Sequence, residues 1–220
     1  MTGFSKGFPE VWLMLEYMRA GGGIMWIIAL LSFVALAVVL ERLFFFTRSR
    51  TDPGRLEAGL SRALRDGDPE TALALAGAGN SSLHRLFAAA FLCWELPDET
   101  VRLLAERRIR QELYRWERHL PILEVTARVA PLLGLLGTVL GMVEMFRSLH
   151  QGGAVDAIAV TGGIWKALFT TVAGLIAAIP MVLAHSLLQG AVDSQAETLE
   201  RGVDFLLRER AVREAGRPEP

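Results

Sequence analysis

Residues 130–142, APLLGLLGTVLGM, and residues 163–180, GIWKALFTTVAGLIAAIP, decide how this chain folds. They lie in two apolar segments, roughly 124 to 148 and 161 to 189, each long enough to cross a bilayer and joined by only about a dozen residues. Glycine, threonine and charge recur in both segments at matching depths. The pair therefore reads as a membrane hairpin built around an ion path.

The depth argument uses only helical rise. With the turn at about Leu149 to Val160, Thr138 precedes it and Thr171 follows it by about eleven residues, so at about 1.5 Å per residue the two hydroxyls are expected near one level. That level is near the middle of a core about 30 Å thick. Glu144 and Lys166 lie about five or six residues from the turn on their respective sides, nearer one surface.

At about 100° per residue, Gly163, Lys166, Ala167, Thr170, Thr171, Ala173, Gly174, Ala177 and Ala178 fall within about 160° of a helical wheel. Ile164, Trp165, Leu168, Phe169, Val172, Leu175, Ile176 and Ile179 take the other side. Membrane helices associate through small residues that let backbones approach, so the small face is expected to meet protein or a pore and the oily face lipid. The other segment repeats the device with Gly134, Gly137, Thr138, Gly141 and Glu144 spread over about 120°, including the small-residue pair Gly137-x-x-x-Gly141. Pro131 and Pro180 each remove a donor from the helical ladder. A bland reading stands beside each feature, since hydroxyls in membrane helices also bond their own backbone, Thr170 above all. Charges within a span are costlier, and Glu144 and Lys166 form a candidate ion pair, within or between subunits.

A third apolar run, Ile24 to Leu40, is interrupted only by Ser32 and flanked by Trp26 and Phe44 to Phe46. It is longer than a signal-peptide core and reads as an uncleaved anchor. With 52% hydrophobic residues and a positive mean hydropathy, the composition is that of an all-α polytopic membrane protein with three transmembrane helices.

Arginine sets the expected orientation. Arg48, Arg50, Arg55, Arg62 and Arg65 follow the first span, Arg107, Arg108, Arg110, Arg115 and Arg118 precede the second, and Arg201, Arg208, Arg210, Arg213 and Arg217 occupy the tail. By the positive-inside rule the middle region and tail are cytoplasmic, and the N-terminus and short turn are outside. The expected layout is an interfacial amphipathic helix over 1–23, spans over 24–46, 122–149 and 161–189, a cytoplasmic helical domain over 47–121 and an outside turn over 150–160. A cytoplasmic helix over 190–212 and a disordered tail over 213–220 complete it. Breaks at Asp52-Pro53-Gly54, Gly67-Asp68-Pro69 and Leu96-Pro97-Asp98 divide the middle region into short helices. The stripe Val192, Ala196, Leu199, Val203 and Leu206 must bury itself against that region or a neighbouring subunit, so the third span is expected to continue well beyond the membrane.

The net charge of −1 and interleaved acids and bases argue against nucleic acid. One cysteine, Cys93, provides neither a disulfide framework nor a thiolate metal site within one chain. No Walker loop, metal-spaced His/Glu set or Gly-x-Ser-x-Gly elbow appears, and His185 reads as a packed or interfacial residue. No cofactor is expected, and an intramembrane enzyme is a poor second hypothesis.

Ala130 to Met142, followed by Gly163 to Leu168, Thr171, Gly174-Leu175 and Ala178-Ile179-Pro180, resembles the two signature spans of the MotA/TolQ/ExbB proton-channel family. Chain length and three expected spans fit ExbB or TolQ better than MotA, and ExbB is the choice. The resemblance implies a subunit of an inner-membrane motor: a homopentamer around a dimer of an ExbD- or TolR-like single-span protein whose membrane aspartate carries the proton. A TonB-like periplasm-spanning protein would take up the work, and counterparts of Thr138 and Thr171 would line the proton route. One departure stands out. Where ExbB and TolQ proteins commonly carry a glutamate, before the threonine of the third span, this chain has Lys166, so that residue's family role does not carry over. A TolQ-like envelope-maintenance motor and a non-conducting scaffold are the alternatives.

Overall fold

The computed structural model describes residues 22–49, 52–151 and 157–215, with a few side chains inside the helices excepted. The expected interfacial helix before residue 22, the centre of the short turn and the last residues of the tail lie outside that set. Seven helices make up the described residues: α1 (Gly23–Ser49), α2 (Pro53–Arg65), α3 (Pro69–Gly77), α4 (Ser82–Phe91), α5 (Asp98–Glu117), α6 (Leu120–Gln151) and α7 (Ala157–Ala215). Three of these, α1, α6 and α7, contain stretches long and apolar enough to cross a membrane.

Local chemistry explains where the short helices begin. Asp52 accepts from the amides of Gly54 and Arg55 at 3.1 and 3.4 Å, Asp68 from the amide of Thr71 at 3.0 Å, and Ser81 from the amide of His84 at 3.3 Å. Proline follows both aspartates at the first helical position, where its missing N–H costs nothing. Each such cap contributes about 1 kcal/mol. Between α2 and α3 the chain turns at Gly67, whose φ of 75° suits glycine. Between α5 and α6, His119 takes a φ of 71°, a left-handed conformation uncommon for a residue with a Cβ.

The chain divides into two compact units. One comprises residues 41–118 and 187–220. Its core gathers Leu60 of α2, Leu83, Leu86 and Phe87 of α4, Ile109 of α5, and Leu199, Val203 and Leu206 of α7. The apolar stripe beyond residue 190 is thus covered by the middle region of the same chain. Gly202 lets α7 approach α4, because a Cβ there would stand 2.8 Å from the Leu83 side chain. Two arginines tie the unit together. Arg210, buried, donates to the Leu96 carbonyl at 2.7 Å, pairs with Asp98 at 2.8 Å and lies over the Trp94 ring. Arg42, also buried, donates to the carbonyls of Arg115 and Trp116 at 3.0 and 3.3 Å and so caps the end of α5.

The other unit comprises residues 1–40 and 119–186 and contains most of the apolar stretches. On α7, Ala167, Thr170, Gly174 and Ala178 are buried. Leu168, Val172, Leu175, Ile176 and Ile179 are exposed, as are Leu132, Leu135, Leu136 and Val139 on α6. Exposed aliphatics at this density suit lipid or further protein as the surrounding medium.

Candidate functional site

The seam between α6 and α7 is built from missing side chains. A Cβ on Gly174 would stand 2.6 Å from the Ala130 carbonyl oxygen, and one on Gly134 would stand 2.9 Å from the Thr171 Cα. Farther along, a Cβ on Gly137 would collide with the Thr170 hydroxyl, one on Gly141 would press on the Ala167 Cβ at 3.1 Å, and one on Gly163 on the Met145 Cβ at 3.1 Å. The helices run antiparallel in this register, and glycine recurs wherever the backbones meet.

Close approach brings hydroxyls onto main-chain oxygens. Thr171 donates from Oγ1 to the Gly134 carbonyl of the facing helix at 3.0 Å. Thr170, buried, donates to the Ala167 carbonyl at 2.7 Å and lies 3.4 Å from the same Gly134 oxygen. Thr138 donates to its own helix at the Leu135 carbonyl, at 2.6 Å. Thr138 and Thr171 are half-buried, whereas Thr170 is sealed inside the seam. Because Gly134 faces Thr171 and Gly137 faces Thr170, Thr138 lies within about one turn of the level of Thr171. The structure therefore separates Thr170, sealed in the seam, from Thr138 and Thr171, which retain partly open hydroxyls, Thr171 while bridging the two helices.

Charge lies nearer the connecting turn. Glu144 is exposed on α6; Lys166 lies on α7, with its side chain outside the described set. From the Gly141–Ala167 and Gly163–Met145 contacts, the backbones at 144 and 166 stand within about two residues of one level. Pro131 and Pro180 are interior to α6 and α7, so the carbonyls of Ala127 and Ile176 lack their usual helical donors. Pro180 also borders a largely apolar groove of about 520 Å³ between α1 and α7, lined by Met25, Ser32, Leu36, Phe169 and Ile176. Ser32 turns its hydroxyl back to the Ile28 carbonyl at 2.8 Å. His185 is half-buried on α7, and Cys93 is a half-buried free thiol. Among the described residues no group of three or more His, Cys, Asp or Glu side chains is placed to hold a metal ion.

Fold and seam define an all-α membrane protein in which two apolar helices are drawn together by glycine and bridged by threonine hydroxyls. Residues 78–201, more than half of the chain, match the MotA/TolQ/ExbB proton channel family, and the chain belongs to that family. It is 35% identical to the protein named ExbB-like 3 of Synechocystis, a biopolymer transport relative, over 69% of this chain and 73% of that one. With the ExbB homolog of Methanothermobacter thermautotrophicus it shares 29% identity over 84% of this chain and 66% of that one. A shorter match, 36% identical, joins it to the Tol-Pal system protein TolQ of Haemophilus influenzae, over 39% of this chain and 38% of that one. The family is one of proton channels, not of enzymes.

Proposed function

We propose that this chain is the multi-span subunit of a proton-driven motor in a bacterial inner membrane, assembled as a homopentamer around an ExbD-like single-span partner. The partner's membrane aspartate carries the proton. The observation that carries the reading is the pair of partly open hydroxyls, Thr138 and Thr171, beside a glycine seam in otherwise apolar helices. A hydroxyl both donates and accepts, so it can pass a proton between water and a carboxylate without bearing charge in the bilayer. In this reading the arginine-rich helical unit is cytoplasmic and protons enter from the side of the short turn. They protonate the aspartate and leave past Thr138 and Thr171.

Each proton crossing 100 mV releases about 2.3 kcal/mol, so several suffice to drive a rotation or a periplasmic stroke. The ExbB-named relatives are called biopolymer transport proteins, which favours a transport role; in this reading the work passes to a TonB-like protein and drives outer-membrane transport. The TolQ match favours a second reading, service in envelope maintenance with a TolR-like partner. A non-conducting scaffold is the third, motivated by Lys166.

The test is native mass spectrometry of the complex extracted from its own membrane, followed by proton-flux assays. Five 24.2 kDa chains retaining two copies of a small single-span protein, with flux abolished in T138V/T171V but assembly intact, is the expected result. Unchanged flux in that variant removes the threonines from the route, and an oligomer without the companion favours the scaffold.

A further inference from the structure

Glu112 of α5 is wholly buried yet ionisable, and three guanidinium groups converge on it. Arg85 of α4 donates from Nε to Oε1 at 2.9 Å and from Nη2 to Oε2, while Nη2 of Arg108 and Nη1 of Arg115 each lie 3.4 Å from Oε1. One carboxylate against three arginines leaves two positive charges in excess. Nε of Arg108 is buried without an acceptor, and the Arg115 side chain is half exposed. Arg108 and Arg115 are about two turns apart on one face of α5. The nearby acid Glu106 is about 200° away around the helix from Arg108 and is engaged by Arg102.

The cluster is tied to the end of an apolar span. Arg85 also approaches the Ser82 hydroxyl at 3.3 Å, and that hydroxyl accepts from Trp116 Nε1 at 2.9 Å. The Trp116 ring meets the ring of Phe46 edge-on at 4.6 Å, and Phe46 closes the apolar run of α1. Leu43 and Phe44, just before it on α1, are exposed. Surplus guanidinium donors, Arg115 nearest, thus lie toward the end of an apolar run whose exposed side chains suit acyl chains.

We propose that Arg85, Arg108 and Arg115 form a binding site for the phosphate of an anionic phospholipid headgroup. Glu112 fixes the three forks, and Arg108 and Arg115 make the contact. Guanidinium forks match phosphate oxygens in paired hydrogen bonds, and the lipid supplies the missing negative charge. The site is separate from the proton route, and its test does not depend on flux.

The test is native mass spectrometry of the full-length complex reconstituted with mixed phosphatidylglycerol and phosphatidylcholine, read as phosphatidylglycerol retained per chain. R108Q/R115Q is expected to weaken retention about ten-fold or more, as loss of two headgroup-facing charges requires. The control R107Q/R110Q removes the same charge from exposed positions on other faces of the same helix and is expected to retain lipid like the parent. Equal retention in R108Q/R115Q overturns the proposal, and equal loss in the control overturns it in favour of diffuse charge. If inorganic phosphate displaces the lipid and itself binds as tightly, the ligand is a free anion and the lipid assignment falls. Should R108Q/R115Q fail to accumulate, R115Q alone, at the half-exposed position, carries the same criterion.

Discussion

The Thr171 hydroxyl donates to the Gly134 carbonyl at 3.0 Å, across from α7 to α6. That bond is possible because Gly134 lacks a side chain: a Cβ there would stand 2.9 Å from both the Thr170 carbonyl oxygen and the Thr171 Cα. Distance between the helices and the position of the hydroxyl are therefore set together. Altering the glycine displaces the threonine.

Substitutions along the seam should rank by what they strike. Gly174→Ala meets a carbonyl oxygen at 2.6 Å and Gly134→Ala meets backbone at 2.9 Å; neither neighbour can rotate away. Each is expected to cost about 1–3 kcal/mol, the usual range for overpacking. Gly163→Ala presses on the flexible Met145 at 3.1 Å and should cost least. Thermal midpoints of the purified chain in mild detergent should fall in the order Gly174→Ala and Gly134→Ala well below Gly163→Ala; equal midpoints would contradict the seam.

Neighbouring threonines should separate by readout. Thr170 is sealed in the seam with its hydroxyl on its own helix and 3.4 Å from the Gly134 carbonyl, so Thr170→Val is expected to cost about 0.6 kcal/mol of stability, the mean for polar bonds between membrane helices, and to spare proton flux. Thr138→Val removes a half-buried hydroxyl bonded only to its own helix, so stability should hardly move while flux falls. The reverse pattern would make Thr170 the conducting group.

Arg42 tests how the end of α1 is held to α5. Its guanidinium takes the last carbonyls of α5 and lies 4.9 Å from the Phe45 ring. Arg42→Met keeps most of the volume but strands one buried and one partly buried carbonyl, an expected loss of about 1.5–3 kcal/mol. Limited proteolysis should then cut near residues 115–119 in the variant and not in the parent.

Fold class was legible because hydropathy and small-residue patterning are local, and both survive in the order of Ala167, Thr170, Gly174 and Ala178 on one face of α7. The starts of α2 and α3 were legible for the same reason, since Asp-Pro states a cap and a first turn within two residues. The stripe from Val192 to Leu206 announced burial but not its partner, because a helix face does not encode what covers it. Least legible was the polar network. Arg85 and Glu112 are 27 residues apart and Arg42 and Arg115 are 73 apart, so nothing in local spacing distinguishes them from the many solvated charges nearby. Likewise the sequence placed Thr170 on the small face but could not tell a sealed hydroxyl from an open one, a difference set by the exact register of two helices.

Acid should expose the Glu112 cluster. Burial alone would raise this carboxyl, but the hydrogen bond and charge of Arg85, with Arg115 and Ser82 adding to them, prevail and hold it below the usual value of 4.5. Above that value both folded and unfolded chains carry the charge, and the stabilisation is present in full. As pH falls below 4.5 the unfolded chain takes up its proton first, so stability declines until the folded carboxyl also protonates. Glu112→Gln removes the charge at every pH and leaves three guanidinium groups facing one another, an expected loss near the lower end of about 3–5 kcal/mol because Arg115 is half solvated. Thermal midpoints of parent and variant, measured from neutral pH downward, should lie far apart at pH 7 and converge below 4.5. Parallel curves would mean that Glu112 does not bind its proton with the lowered affinity that Arg85 and Arg115 impose.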